Sequence, residues 1–151
     1  IYSLAKKLNL KAQILNKDET ISKDVEVVII NYFGALQNYF KHSKSVFIGK
    51  SILEKFKNNG GQNPIEAAKL NCKIYHGPYV FNFDDIYEIF AKNNISQKIE
   101  DHHKLAENLT QDLTKSIEKN IEISDSIKNL EQTTLNDTMT LVNEFIFHGN
   151  K

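Results

Sequence analysis

Residues 60–66 read Gly-Gly-Gln-Asn-Pro-Ile-Glu and hold the densest chemistry in the chain. Gly60 and Gly61 free the backbone so that bare peptide N–H groups can approach an anion. Gln62 and Asn63 add polar side chains. Pro64 is placed to open a helix, whose N-terminus contributes about half a positive charge. Glu66 then falls in the first turn, where a carboxylate repels phosphate but suits a pair of ribose hydroxyls. The unit reads as a nucleotide grip. An ordinary asparagine–glycine turn has the same composition, so the neighbouring loops must decide between the two.

Lys50 and Ser51 follow Gly49 directly after an apolar run and would set an ammonium and a hydroxyl near a phosphate. A P-loop would need a glycine where Lys44 stands, so a P-loop NTPase is excluded. Residues 77–83, Gly-Pro-Tyr-Val-Phe-Asn-Phe, place three aromatics after a rigid turn, and at least one of Phe81 and Phe83 is expected to plug the core. His76 sits at a strand end beside this loop. His102, His103 and His148 lack the carboxylate or cysteine company of a metal site and read as surface residues. Asp84 and Asp85 open a helix and complement its dipole. No Ser-His-Asp or Cys-His constellation can be assembled from spacing.

The elements that must position these residues alternate. Apolar spacing predicts a helix over 1–10, a strand over 11–15 and a β-branched strand over 25–30, covered on both faces. A helix over 34–39, a strand over 45–48, a helix over 64–70, a strand over 73–76 and a helix over 83–91 follow. This is the order of an α/β fold, a partial Rossmann-like parallel sheet flanked by helices. Ligands of such sheets sit beyond the carboxyl ends of the strands, where loops 31–35, 49–63 and 77–83 are expected to converge. Beyond residue 101 the pattern changes. Leu105, Leu109, Leu113 and Ile117 make one apolar stripe; Ile127, Leu130, Leu135, Met139, Val142 and Phe145 make a second. Two amphipathic helices are predicted, giving a domain over 1–101 and a helical segment over 102–151.

Composition narrows the partners. The chain has 151 residues, 40% hydrophobic and 25% charged, the balance of one folded domain. Nineteen basic residues offset nineteen acidic ones, so charge gives no reason to expect nucleic acid. Every basic residue other than histidine is lysine, which leaves phosphate to backbone amides, polar side chains or a lysine point charge. The single cysteine, Cys72, excludes an internal disulfide and reads as a buried structural thiol. The chain opens on Ile1 and its one methionine is Met139, which predicts a piece of a longer protein. Neither a signal peptide nor a membrane-spanning run is legible.

Three runs in sequence resemble the C-terminal domain of 3-deoxy-D-manno-octulosonic acid (Kdo) transferases. They are residues 46–51 (Val-Phe-Ile-Gly-Lys-Ser), 60–68 (Gly-Gly-Gln-Asn-Pro-Ile-Glu-Ala-Ala) and 77–83. These are GT-B glycosyltransferases of Gram-negative bacteria that move Kdo from CMP-Kdo onto a lipid A precursor at the cytoplasmic side of the inner membrane. The resemblance covers 25–90 well and the tail weakly. It implies that Phe33, Gly34 and Ala35 sit at the nucleotide. It implies that Gly60, Gly61, Gln62, Asn63, Pro64, Ile65 and Glu66 grip phosphate and ribose, with Lys50 and Ser51 beside them. No cofactor or metal is implied. The family has glutamate where Ala35 stands, histidine at Gln62 and glycine at Lys50.

The resemblance also implies that the first strands, the acceptor-lipid domain and its catalytic carboxylate are not part of this chain. The chain alone is therefore expected not to transfer sugar and to bind CMP weakly or not at all. It is expected to be soluble by itself and to form a homodimer through an exposed sheet edge. Rival readings are a non-catalytic nucleotide-binding or interaction module, and another GT-B enzyme using UDP-sugars.

Overall fold

The structure, a computed structural model, describes residues 1–114 and 121–148. The elements run α1 (Tyr2–Lys7), β1 (Ala12–Leu15), β2 (Val27–Ile30), α2 (Leu36–Phe40), β3 (Ser45–Ile48) and α3 (Ile65–Lys69). They continue with β4 (Lys73–His76), α4 (Asp84–Lys92), β5 (Ser96–Lys98), α5 (His102–Thr114) and α6 (Ile121–His148). The chain forms two compact units, Ile1–Tyr39 and Phe40–Lys151. Every strand pair is parallel, so the fold is α/β as the alternation predicts.

Three helices end in one way, and the sequence shows why. Asn9, Asn71 and Asn94 each follow a helix with φ of 57°, 59° and 56°. The left-handed region is costly for most L-residues, but asparagine enters it more readily than others. The amide after each asparagine reaches back to close the helix: Leu10 to Ala5, Cys72 to Ala67 and Ile95 to Phe90, at 3.0, 3.0 and 2.8 Å. Each closure delivers the chain into the next strand, β1, β4 or β5. The same turn is thus used three times to convert helix into strand.

In the first unit β1 and β2 pair from Ala12 opposite Val27 to Leu15 opposite Ile30. The β-branched run of β2 is half-buried throughout rather than covered on both faces. It pairs with β1 alone, which leaves its other edge without a strand neighbour in this sheet.

In the second unit the order is β3-β4-β5, with β4 central. Ile74 is fully buried at its centre. Ala67 and Ala68 of α3 are equally buried, and their small side chains let the helix lie close against the strand. Tyr87 and Phe90 of α4, Ile95, and Ile127 of α6 complete this core. Burying a side chain such as Phe90 contributes about 2–3 kcal/mol.

The leucine stripe predicted beyond residue 101 is only partly the buried face. Leu113 is 71% exposed, whereas Asn108 is buried and Asp112 meets the sheet. The cause is polar. The Asp112 carboxylate accepts hydrogen bonds from the Ser45 and Tyr75 hydroxyls, and this fixes the rotation of α5. In α6, Ile127 is buried, while Met139, Val142 and Phe145 are exposed. Ile117 and the side chains of Leu130, Leu135 and His148 lie outside the described residues.

Candidate functional site

In the second unit the strand register aligns Ile48, His76 and Lys98 at one edge of the sheet. The loops leaving this edge are 49–63 and 77–83, two of the three expected to converge, and they do meet. Ser51 is fully buried; its hydroxyl donates to the Ile48 carbonyl at 2.6 Å and accepts the Gly77 amide at 2.9 Å. The Tyr79 amide donates to the Ser51 carbonyl at 2.8 Å, and the Gly61 amide to the Lys50 carbonyl at 2.9 Å. Ser51 is therefore the rivet between the exits of β3 and β4, and its hydroxyl hydrogen is committed to the backbone.

The glycines serve a different need from the one their composition implies. A Cβ on Gly60 would stand 2.5 Å from the Phe56 carbonyl oxygen, 2.6 Å from that of Tyr79 and 2.7 Å from that of Lys50. A Cβ on Gly77 would stand 2.2 Å from the Ser51 carbonyl oxygen. Gly61 adopts φ +85°, with Val80 Cα 2.9 Å from where its Cβ would be. The space that glycine vacates is filled by neighbouring backbone, so the diglycine lets one loop close on the other.

On that frame stand the residues singled out by sequence. Lys50 is exposed and holds φ 55°, the left-handed region where glycine is at home. Gln62 and Asn63 are exposed, and Pro64 is buried beneath them. The Asn63 Oδ1 accepts the Ile65 amide at 2.9 Å, so asparagine caps the start of α3 and occupies one of its donors. Ile65 and Glu66 are half-buried, and the Glu66 carboxylate lies 4.0 Å from the Lys69 ammonium. With only five residues, α3 offers little macrodipole; exposed amides and side chains are what this edge can present.

Beneath the loops sit His76, which the sequence places at a strand end beside them, and Tyr87, which it does not single out. His76 is 5% exposed, and its ring centroid lies 4.1 Å from that of Tyr87. Its Nδ1 is 2.8 Å from the Gly77 carbonyl, an acceptor, so Nδ1 carries the proton. Burial lowers the His76 pKa from its ordinary value, and nearby Lys98 adds to this against the opposing Gly77 bond. At neutral pH this favours the uncharged imidazole. Tyr87, with its pKa raised by burial, donates from its hydroxyl to the Gln62 carbonyl at 3.3 Å. Phe83 packs on the core and Phe81 is 64% exposed, so one of the two aromatics plugs the loop as expected.

The first unit holds the remaining predicted residues. Phe33 is fully exposed, Gly34 has φ +85° and Ala35 is buried. They line a recess of about 190 Å³ with Ile30, Tyr32 and Tyr39, whose two tyrosine hydroxyls are 3.2 Å apart. Among the described residues no cluster of histidine, cysteine or carboxylate could hold a metal ion. No helix among them is long and apolar enough to cross a membrane.

The arrangement of parallel strands and flanking helices has a counterpart among solved structures. The chain is similar to the C-terminal CMP-Kdo binding domain of WaaA from Acinetobacter baumannii, with a TM-score of 0.65 and 24% identity. The chain has the fold of that domain. The similarity covers 74% of this chain and 56% of that one, so the match spans little more than half of the neighbour. No protein-family model matches the chain. The neighbour is described as binding CMP-Kdo, the donor that the sequence resemblance implies.

Proposed function

We propose that this chain is the donor-nucleotide part of a glycosyltransferase that moves Kdo from CMP-Kdo to a lipid A precursor. In this reading it holds CMP. Catalysis and lipid contact belong to an acceptor domain in the parent protein, which works at the cytoplasmic face of the inner membrane. One observation carries the reading. The turn whose residues match the family, Gly60 to Glu66, stands at the carboxyl edge of parallel strands in a chain with the fold of a CMP-Kdo binding domain. Asn63 and Glu66 meet phosphate and ribose, with Gln62 and Lys50 beside them. Phe33, Gly34 and Ala35 are included on the resemblance alone. A separate part of the proposal is that the isolated chain pairs with a second copy along a sheet edge.

Calorimetric titration of the chain with CMP and with UDP tests this. Weak heat with CMP from the chain, stronger heat from the parent protein, and none with UDP is the expected result, and Glu66→Ala should weaken CMP about tenfold through loss of a charged hydrogen bond to ribose. Preference for UDP would replace the reading by a UDP-sugar enzyme. Binding of neither nucleotide at millimolar concentration, by the chain and by the parent protein alike, would leave an interaction module.

A further inference from the structure

The Tyr87 hydroxyl turns the Gln62 carbonyl inward, and a peptide bond cannot turn one end without the other. In a planar trans peptide the carbonyl of one residue and the N–H of the next point in opposite directions. With the Gln62 carbonyl directed at Tyr87, the Asn63 N–H is directed away from it, toward the exposed side of the loop. Among the described residues the Gln62 and Asn63 N–H groups have no hydrogen-bond partner, whereas the Gly61 and Ile65 amides that flank them are both taken; of the two free donors, only that of Asn63 belongs to the peptide whose carbonyl Tyr87 holds. Gly61, at φ +85°, is tied through its amide to Lys50, and the next hold on this turn before Asn63 is the bond from Tyr87.

Tyr87 is suited to be that anchor. It is 3% exposed on α4, and its ring lies tilted against that of His76, which is itself held by the bond from Nδ1 to Gly77. We infer that Tyr87 is a positioning residue, backed by His76, which sets the Gln62–Asn63 peptide so that the Asn63 N–H donates to an acceptor oxygen of the nucleotide. The inference rests on the nucleotide reading above and deepens it by naming the donor and the residue that aims it. Tyr87 touches no ligand. It acts through the peptide alone.

The test uses the 151-residue chain, two variants and three measurements: amide resonance and hydrogen exchange of Asn63 in the free protein, CMP titration, and thermal unfolding. Tyr87→Phe keeps the ring and its packing and removes only the hydroxyl. It should shift the Asn63 amide signal, speed its exchange, and raise the CMP Kd about fivefold, the worth of one hydrogen bond. Its melting temperature should stay within about 2 °C of the parent. Phe90→Leu, on the same helix but in the core, should lower the melting temperature and leave both the Asn63 signal and the Kd unchanged. That separates aiming from general stability.

An Asn63 amide indifferent to Tyr87→Phe overturns the inference. So does a CMP affinity that stays the same when the amide has moved. If the amide responds but neither the 151-residue chain nor the full-length parent protein binds CMP, Tyr87 still positions the peptide and the nucleotide reading is what fails.

Discussion

The loop edge and the α5 face of the β3-β4-β5 sheet are built from different materials. At the loop edge the contacts are main chain on main chain: Gly60 against three carbonyls, Gly61 against Val80, Gly77 against Ser51, with one serine hydroxyl as rivet. At the α5 face side chains make them: Asp112 gathers Ser45 and Tyr75 from 67 and 37 residues away, and the Lys44 ammonium reaches the Leu113 carbonyl. A frame made of backbone leaves outward side chains free to vary. Lys50 and Gln62 are exposed on that frame, and neither side chain takes part in the main-chain contacts beneath it. A frame made of side chains has no such freedom, because each partner's identity is the bond.

That contrast can be broken by substitution. The largest effect is expected from Gly77→Ala. Its methyl would meet the Ser51 carbonyl at 2.2 Å, backbone that cannot swing aside, and the loss in urea unfolding should be about 3 kcal/mol. Next is Asp112→Ala, which strands the Ser45 and Tyr75 hydroxyls and should cost about 2 kcal/mol in the same assay. Smaller is an acid limb from His76. Burial holds its folded-state pKa below the ordinary 6.5, so the unfolded chain takes up the proton first. Its contribution is complete above pH 6.5 and is lost as pH falls through the folded value; His76→Phe should flatten that part of the stability profile. Smallest is Gly49→Ala, within about 0.5 kcal/mol of the parent, because open space surrounds the added methyl and φ is not left-handed. Equal losses for Gly49 and Gly77 would show that loop flexibility, not close packing, explains both glycines.

Much of the frame was legible from residue types. β3 and β4 stand where short apolar runs meet Gly49 and Gly77, and the bounds agree to the residue. β5 escaped notice because Ser-Gln-Lys is polar and sits at the sheet edge, where pairing on one side needs no apolar run. The three left-handed asparagines were visible as composition but not as a motif, since asparagine also favours ordinary turns. The leucine stripe of α5 misled because a carboxylate with two hydroxyl donors outweighed periodicity in setting the helix rotation. At the site, the turn around Gly60 was legible and its support was not. Tyr87 lies 25 residues from Gln62 and His76 lies beneath both, and no local spacing encodes a contact made only when the loops have closed.

Cys72 gives the second unit an internal stopwatch. The thiol is 2% exposed, donates to the Phe40 and Ser43 carbonyls at 3.2 and 3.5 Å, and has its pKa raised by burial. An alkylating reagent can reach it only after the α3–β4 junction has opened. With no second sulfhydryl anywhere in the chain to confuse the signal, the rate at which mass is added reads the frequency of that opening directly.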